Sequence, residues 1–137
     1  MIYIVINAFS ILAATLAGLA FGAAYYLLLD RAFRVESSFR SGNPTILISL
    51  AFIAEAWFAA ILAGALILAP PEADGWTMAI GSAVVIWIGF IVPVVLVTYR
   101  FRGLMTRTAL ADCGHWLGVA VIQALVLQSS GLQMPPA

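Results

Sequence analysis

Six side chains in this sequence could hold or move a proton or bind a small ion, and all six lie in runs with few other polar residues: Asn7, Tyr25, Tyr26, Glu55, Asp112 and His115. Glu55 is the lone charge in the apolar run from Thr45 to Ala69, and His115 is the only histidine. Asp112 and His115 are three residues apart, so a helix puts them on one face, where a carboxylate can accept an imidazole N–H. A carboxylate at the centre of a bilayer costs about 2.5–3.5 kcal/mol on insertion scales. Glu55 must therefore be neutral, paired or beside water. The chemistry this set suggests is a buried network, Glu55–His115–Asp112, that holds or relays one proton, with the Tyr25 and Tyr26 hydroxyls at its edge. The competing expectation is that the same network only fixes helix packing.

Other chemistries lack their residues. There is no HExxH and no histidine pair, so no metal is expected. Serine-hydrolase and phosphate-loop patterns are missing, which leaves no catalytic residue and no cofactor to assign. Cys113 is the only cysteine and reads as a small buried residue.

The elements that must position these groups follow from composition. Hydrophobic residues make up 64% of the 137 positions and charged residues 9%, against about 25% charged in soluble domains. Mean hydropathy is +1.10. Net charge is zero and every base is an arginine, so nothing points to nucleic acid. Crossing a hydrocarbon core takes about 20 apolar residues as a helix, and exposed strand edges cannot be satisfied in lipid. Four segments qualify, at about 2–29, 45–69, 76–99 and 108–127. The first lacks a basic leader and is too long for a secretory signal, so it reads as a retained span. The expected fold is all-α: one integral membrane domain over 1–137, a four-helix transmembrane bundle running up-down-up-down with short loops.

All six arginines fall in the first and third connections, while the second, PPEADG, carries only acids. The positive-inside rule then puts the arginine-rich loops in the cytoplasm and both termini outside, in a bacterial inner membrane. Trp76, Tyr3, Tyr99 and Trp116 are expected at the interfaces. At a rise of 1.5 Å per residue, Glu55 lies roughly 15 Å past Thr45 and His115 roughly 12 Å past Arg107.

Helical spacing gives each span a face. Asn7, Ser10, Ala14, Gly18, Gly22 and Tyr25 share one stripe. Ala51, Glu55, Ala59 and Ala63 share another, and Ser82, Gly89 and Pro93 a third. In the last span Asp112, His115, Val119 and Gln123 adjoin Gly114 and Gly118. The pairs Gly18/Gly22 and Gly114/Gly118 read as close-packing motifs, and Pro93 as a kink. These small-residue faces exceed what one bundle can use, so a homo-oligomer in the lipid bilayer is expected.

One family fits these residues. Asn7, the run Gly22-Ala23-Ala24-Tyr25-Tyr26, Trp87-Ile88-Gly89-Phe90, and Asp112-Cys113-Gly114-His115 together resemble the DUF1761 family of small bacterial membrane proteins. That pattern has an early Asn, a Gly-Ala-x-Trp-Tyr, a Trp-x-Gly-Phe and an Asp-x-Gly-x-His. Here Tyr25 stands in the Trp position and His115 follows Gly114 directly. The resemblance implies four helices and no established activity, and groups Asn7, Tyr26, Asp112 and His115 as polar positions. The functional expectation is a membrane module that binds or transports a small molecule or ion, with a structural or interaction protein as the alternative and enzymatic activity not expected.

Overall fold

The computed structural model describes residues 2–33, 43–70 and 72–136. It contains α1 (Ile2–Ile6), α2 (Ala8–Phe33), α3 (Pro44–Ile67), α4 (Gly75–Ile86), a π-helical turn (Trp87–Ile91), α5 (Val92–Phe101) and α6 (Thr106–Ser130). The fold is all-α. Four helical runs are long and apolar enough to cross a membrane: Ala8–Leu29, Pro44–Ile67, Gly75–Phe101 and Thr106–Ser130. The expectations for Arg34 and Arg40 fall outside the described residues.

Local chemistry sets the helix boundaries. Asn43 caps α3 by accepting the Thr45 N–H at 3.0 Å, and Pro44 takes the first turn, where no N–H is needed. Gly103, at φ 68°, ends α5 in the left-handed region, and the Leu104 N–H returns to the Tyr99 carbonyl at 3.0 Å.

Asp74 caps α4: Oδ2 accepts the Thr77 N–H and the Thr77 hydroxyl, each at 2.8 Å. The bond from the Thr77 backbone holds the Asp74 carboxyl below its ordinary value of 3.8. A lowered folded-state value means that the cap stabilises the fold above 3.8 and loses that contribution as pH falls through the lower folded value. Asp74→Ala should therefore lower Tm at neutral pH, and its gap to wild type should close in acid. Thermal scans in nanodiscs across that range check this, and a gap indifferent to pH would contradict it.

The first span is interrupted at Asn7 and the third at the π turn. The Asn7 amide competes for backbone: Nδ2 donates to the Tyr3 and Gln133 carbonyls, each at 2.9 Å, while Oδ1 accepts the Gln133 N–H at 2.8 Å. One buried side chain thus ties the segment after α6 to the start of the chain. Asn7→Ala should cost about 1–2 kcal/mol. It should speed Gln133 amide exchange by about five- to thirty-fold, read by hydrogen-exchange mass spectrometry; unchanged protection would mean the segment is held by something else.

In the third span the Val92 N–H reaches back five residues to the Trp87 carbonyl, and Pro93 contributes no donor to the turn that follows. This corrects the expected face. Ala79 and Ala83 are buried and Ser82 is half-buried, whereas Gly89, inside the π turn, and Pro93, just past it, are exposed. In the other stripes Asn7, Ala14, Gly18 and Gly22, then Glu55, Ala59 and Ala63, then His115, Val119 and Gln123 are buried, while Ser10, Tyr25, Ala51 and Asp112 are half-buried.

α2 and α6 form the most extensive contact. Their glycines leave room for side chains more than for bare backbone. A methyl group at Gly18 would meet the Glu55 carboxyl, and one at Gly22 would lie 2.7 Å from His115 Nε2. In return, Gly114 receives the Tyr25 hydroxyl and Gly118 the Phe21 ring. Numbers that rise along α2 meet numbers that fall along α6, so this pair is antiparallel.

Candidate functional site

The polar residues gather into two groups. The first lies near the arginine-flanked ends of α2, α5 and α6. Tyr26 donates to Asp112 Oδ1 at 2.7 Å, and Tyr99 donates to Asp112 Oδ2. Tyr25 donates to the Ala111 carbonyl at 2.9 Å, and Trp87 Nε1 to the Cys113 carbonyl at 2.7 Å. The carboxylate is thus clasped by phenols from two other helices, and the backbone beside it is pinned by two more ring donors. The His115 imidazole packs against Tyr26 at 4.7 Å between centroids, Trp116 at 5.4 Å and Tyr25 at 5.7 Å. His115 is 7% exposed, and its Nδ1 has no hydrogen-bond partner.

The second group lies farther along α6. Gln123 Nε2 donates to the Glu55 carbonyl at 3.2 Å and to its Oε2 at 3.4 Å. Glu55 is 3% exposed and Gln123 fully buried, and the Gln123 Oε1 has no partner.

These placements correct the expected network. Glu55 makes no hydrogen bond with His115, because Gln123 meets it first. Asp112 shares no hydrogen bond with the imidazole and accepts from Tyr26 and Tyr99 instead. Asn7 joins neither group and serves the Gln133 backbone instead. Of the expected set, Tyr25, Tyr26, Asp112 and His115 come together, and Glu55 stands apart with Gln123.

Tyr99 and Trp87 join the site from outside the expected set. Tyr99 is expected among the interfacial rings, together with Tyr3 and Trp116. Tyr3 in fact donates to the Ala60 carbonyl at 3.2 Å, and Trp116 packs on Phe58 and His115. Trp76 is half exposed. Cys113 is buried, as expected.

A cavity of about 190 Å³ adjoins the first group, lined by Leu96, Tyr99, Arg100, Leu104, Thr106 and Ala109. Tyr99 belongs to both the cavity wall and the Asp112 clasp. Among the described residues no group of three His, Cys, Asp or Glu side chains is placed to hold a metal ion.

A family model described as a protein of unknown function, DUF1761, matches residues 9–128. The matched stretch holds both polar groups, and Asn7 lies just before it. No curated protein and no solved structure matches the chain.

Proposed function

Since the chain belongs to the DUF1761 family, whose description gives no activity, we propose a function from geometry: a multi-pass membrane protein that binds a small ligand or ion at Tyr26, Tyr99, Asp112 and His115. One observation carries this reading, the buried imidazole whose Nδ1 lacks a partner. An unsatisfied buried polar atom costs about 1–3 kcal/mol, and most are satisfied in folded proteins. A ligand that donates to Nδ1 would remove that cost. The cavity beside Tyr99, with Arg100 on its wall, lies at the same arginine-flanked end. Transport is the fuller form of the same proposal.

The setting proposed for it is the bacterial inner membrane, with the arginine-rich loops cytoplasmic and both termini outside, on the positive-inside rule. A homo-oligomer is proposed as well. Its support is that Gly89 meets nothing within 4 Å, unlike the glycines used between α2 and α6.

The test is thermal stability in lipid nanodiscs against small cations, amines and anions. A bound ligand raises the wild-type Tm. His115→Gln and Asp112→Asn, each still helical, should lose that response. The second reading, a cluster that only fixes packing, draws on the interlocking of rings with glycine notches. It expects no ligand response, and a lower Tm in His115→Leu.

A further inference from the structure

At the arginine-flanked end, the hairpin between α5 and α6 encloses a cavity. Gly103, at φ 68°, reverses the chain, and the Leu104 N–H meets the Tyr99 carbonyl at 3.0 Å. The turn sets Tyr99, Arg100 and Leu104 around about 190 Å³ of space, completed by Leu96 of α5 and by Thr106 and Ala109 of α6.

The walls select an occupant by charge and by size. Arg100 is the one charged residue on them, and no acid lines the space. Among the described residues Arg100 and Arg102 form no ion pair, and the nearby Asp112 carboxylate already accepts from Tyr26 and Tyr99. The two chain segments at this end, 30–44 and 100–107, carry six arginines and two acids. The rest of the wall is mainly apolar and partly open, since Leu96 and Leu104 are 36% and 48% exposed. Phe101 and Met105 stand exposed beside it, where the third and fourth spans end. The volume is below the roughly 300–1,000 Å³ that encloses a drug-sized molecule. It suits a small anionic group whose apolar remainder stays outside in the bilayer.

We propose that this cavity binds the phosphate group of an anionic phospholipid, with Arg100 as the charged anchor. A guanidinium fork matches two phosphate oxygens at once. The Thr106 hydroxyl is a further donor on the wall, and Thr106 opens α6, which adds the positive end of that helix. Leu96, Leu104 and Ala109 receive the first carbons beside the phosphate. With no carboxylate on the wall to pair with an ammonium, a head group that carries an amine gains less than a purely anionic one. Basic pockets between membrane helices select anionic lipids in this way. The site is separate from the one proposed at His115 and stands without it. The two share Tyr99, whose side chain lines the cavity and whose hydroxyl holds Asp112.

The test is native mass spectrometry of the full chain in detergent, titrated separately with phosphatidylglycerol, phosphatidylethanolamine and soluble glycerol phosphate. The first phosphatidylglycerol should bind about fivefold or more tightly than phosphatidylethanolamine, and glycerol phosphate should not be retained. Arg100→Gln should weaken that first binding by about ten- to a hundredfold, the worth of hydrogen bonds to a charged group. Arg102→Gln makes the same charge change at an exposed residue off the cavity. It should cost about fivefold or less, the worth of one arginine near an anionic surface. Leu104→Trp keeps every charge but fills the space, and should also weaken binding. Circular dichroism first establishes that each variant is helical. His115→Gln should bind the lipid as wild type does, so this proposal and the His115 reading fail separately. Equal losses in Arg100→Gln and Arg102→Gln, or full binding in Leu104→Trp, would replace the site with a diffuse surface field and overturn it. Equal affinity for the two lipids would overturn it too, and glycerol phosphate retained as tightly as the lipid would overturn the lipid as occupant.

Discussion

Removing the Tyr26 and Tyr99 hydroxyls together is expected to destabilise the protein by about 2–3 kcal/mol, more than the sum of the two single changes. The reason is the state in which each variant leaves Asp112. With one phenol gone, the other still donates to the carboxylate, and the loss is one membrane hydrogen bond, about 0.6 kcal/mol on average and about 1.7 at most. With both gone, an unpaired carboxylate remains in an apolar setting, whose cost approaches the about 2.5–3.5 kcal/mol of a charge at the bilayer centre. Asp112 is half-buried, not fully buried, so the lower part of that range applies. Adding Asp112→Leu to Tyr26→Phe and Tyr99→Phe should restore most of the loss, because replacing all partners by apolar groups leaves nothing unsatisfied. Reversible unfolding in bicelles, arranged as a mutant cycle, reads all of these. Additive single effects with no recovery in the triple variant would show that the clasp is not the source of the stability.

That clasp also marks where the sequence stopped being informative. Spans and inward stripes were legible because each depends on neighbours within a turn or two. Hydrophobic length located the four runs, and i+4 spacing the buried face of Glu55, Ala59 and Ala63. Tyr99 was not legible. Counted from Ala83 at about 100° per residue, it points away from the bundle. The π turn at Trp87–Ile91 widens the helix between them and swings Tyr99 back toward α6. Nothing in WIGFI announces that turn, and Pro93 signals a local disturbance without giving its angle.

The partner of Glu55 was hidden for a different reason. Rise per residue placed Glu55 and His115 at similar depths, and Gln123 lies about two turns farther along its span. That estimate locates backbones, while Glu and Gln side chains each reach across about a turn. Which of two polar neighbours captures a carboxylate depends on the rotation and register of α3 against α6, and a single sequence does not contain these. The family resemblance supplied membership and grouped Tyr26, Asp112 and His115. It grouped Asn7 with them too, and the fold gives Asn7 a separate task at Gln133.

Gly22→Ala and Gly81→Ala are the same chemical change in two transmembrane helices, and they should move stability in opposite directions. At Gly22 the new methyl group would lie 2.7 Å from His115 Nε2, closer than such contacts are found. The imidazole cannot simply step aside, since Tyr25, Tyr26 and Trp116 pack on it. Overpacking of this kind costs about 1–3 kcal/mol. Combining Gly22→Ala with His115→Ala removes the clash, so the pair should show a coupling of about 0.5–3 kcal/mol, the range for residues in contact. At Gly81 nothing lies within 4 Å, and alanine should gain up to about 1 kcal/mol through its better helix propensity. That gain belongs to a Gly81 that faces lipid. Were Gly81 instead a contact between copies of the chain, its methyl group would press on a neighbour, and the gain would become a loss that grows as the protein is concentrated in the bilayer. Unfolding measured at two protein-to-lipid ratios therefore tests the packing of α2 on α6 through Gly22 and the proposed homo-oligomer through Gly81.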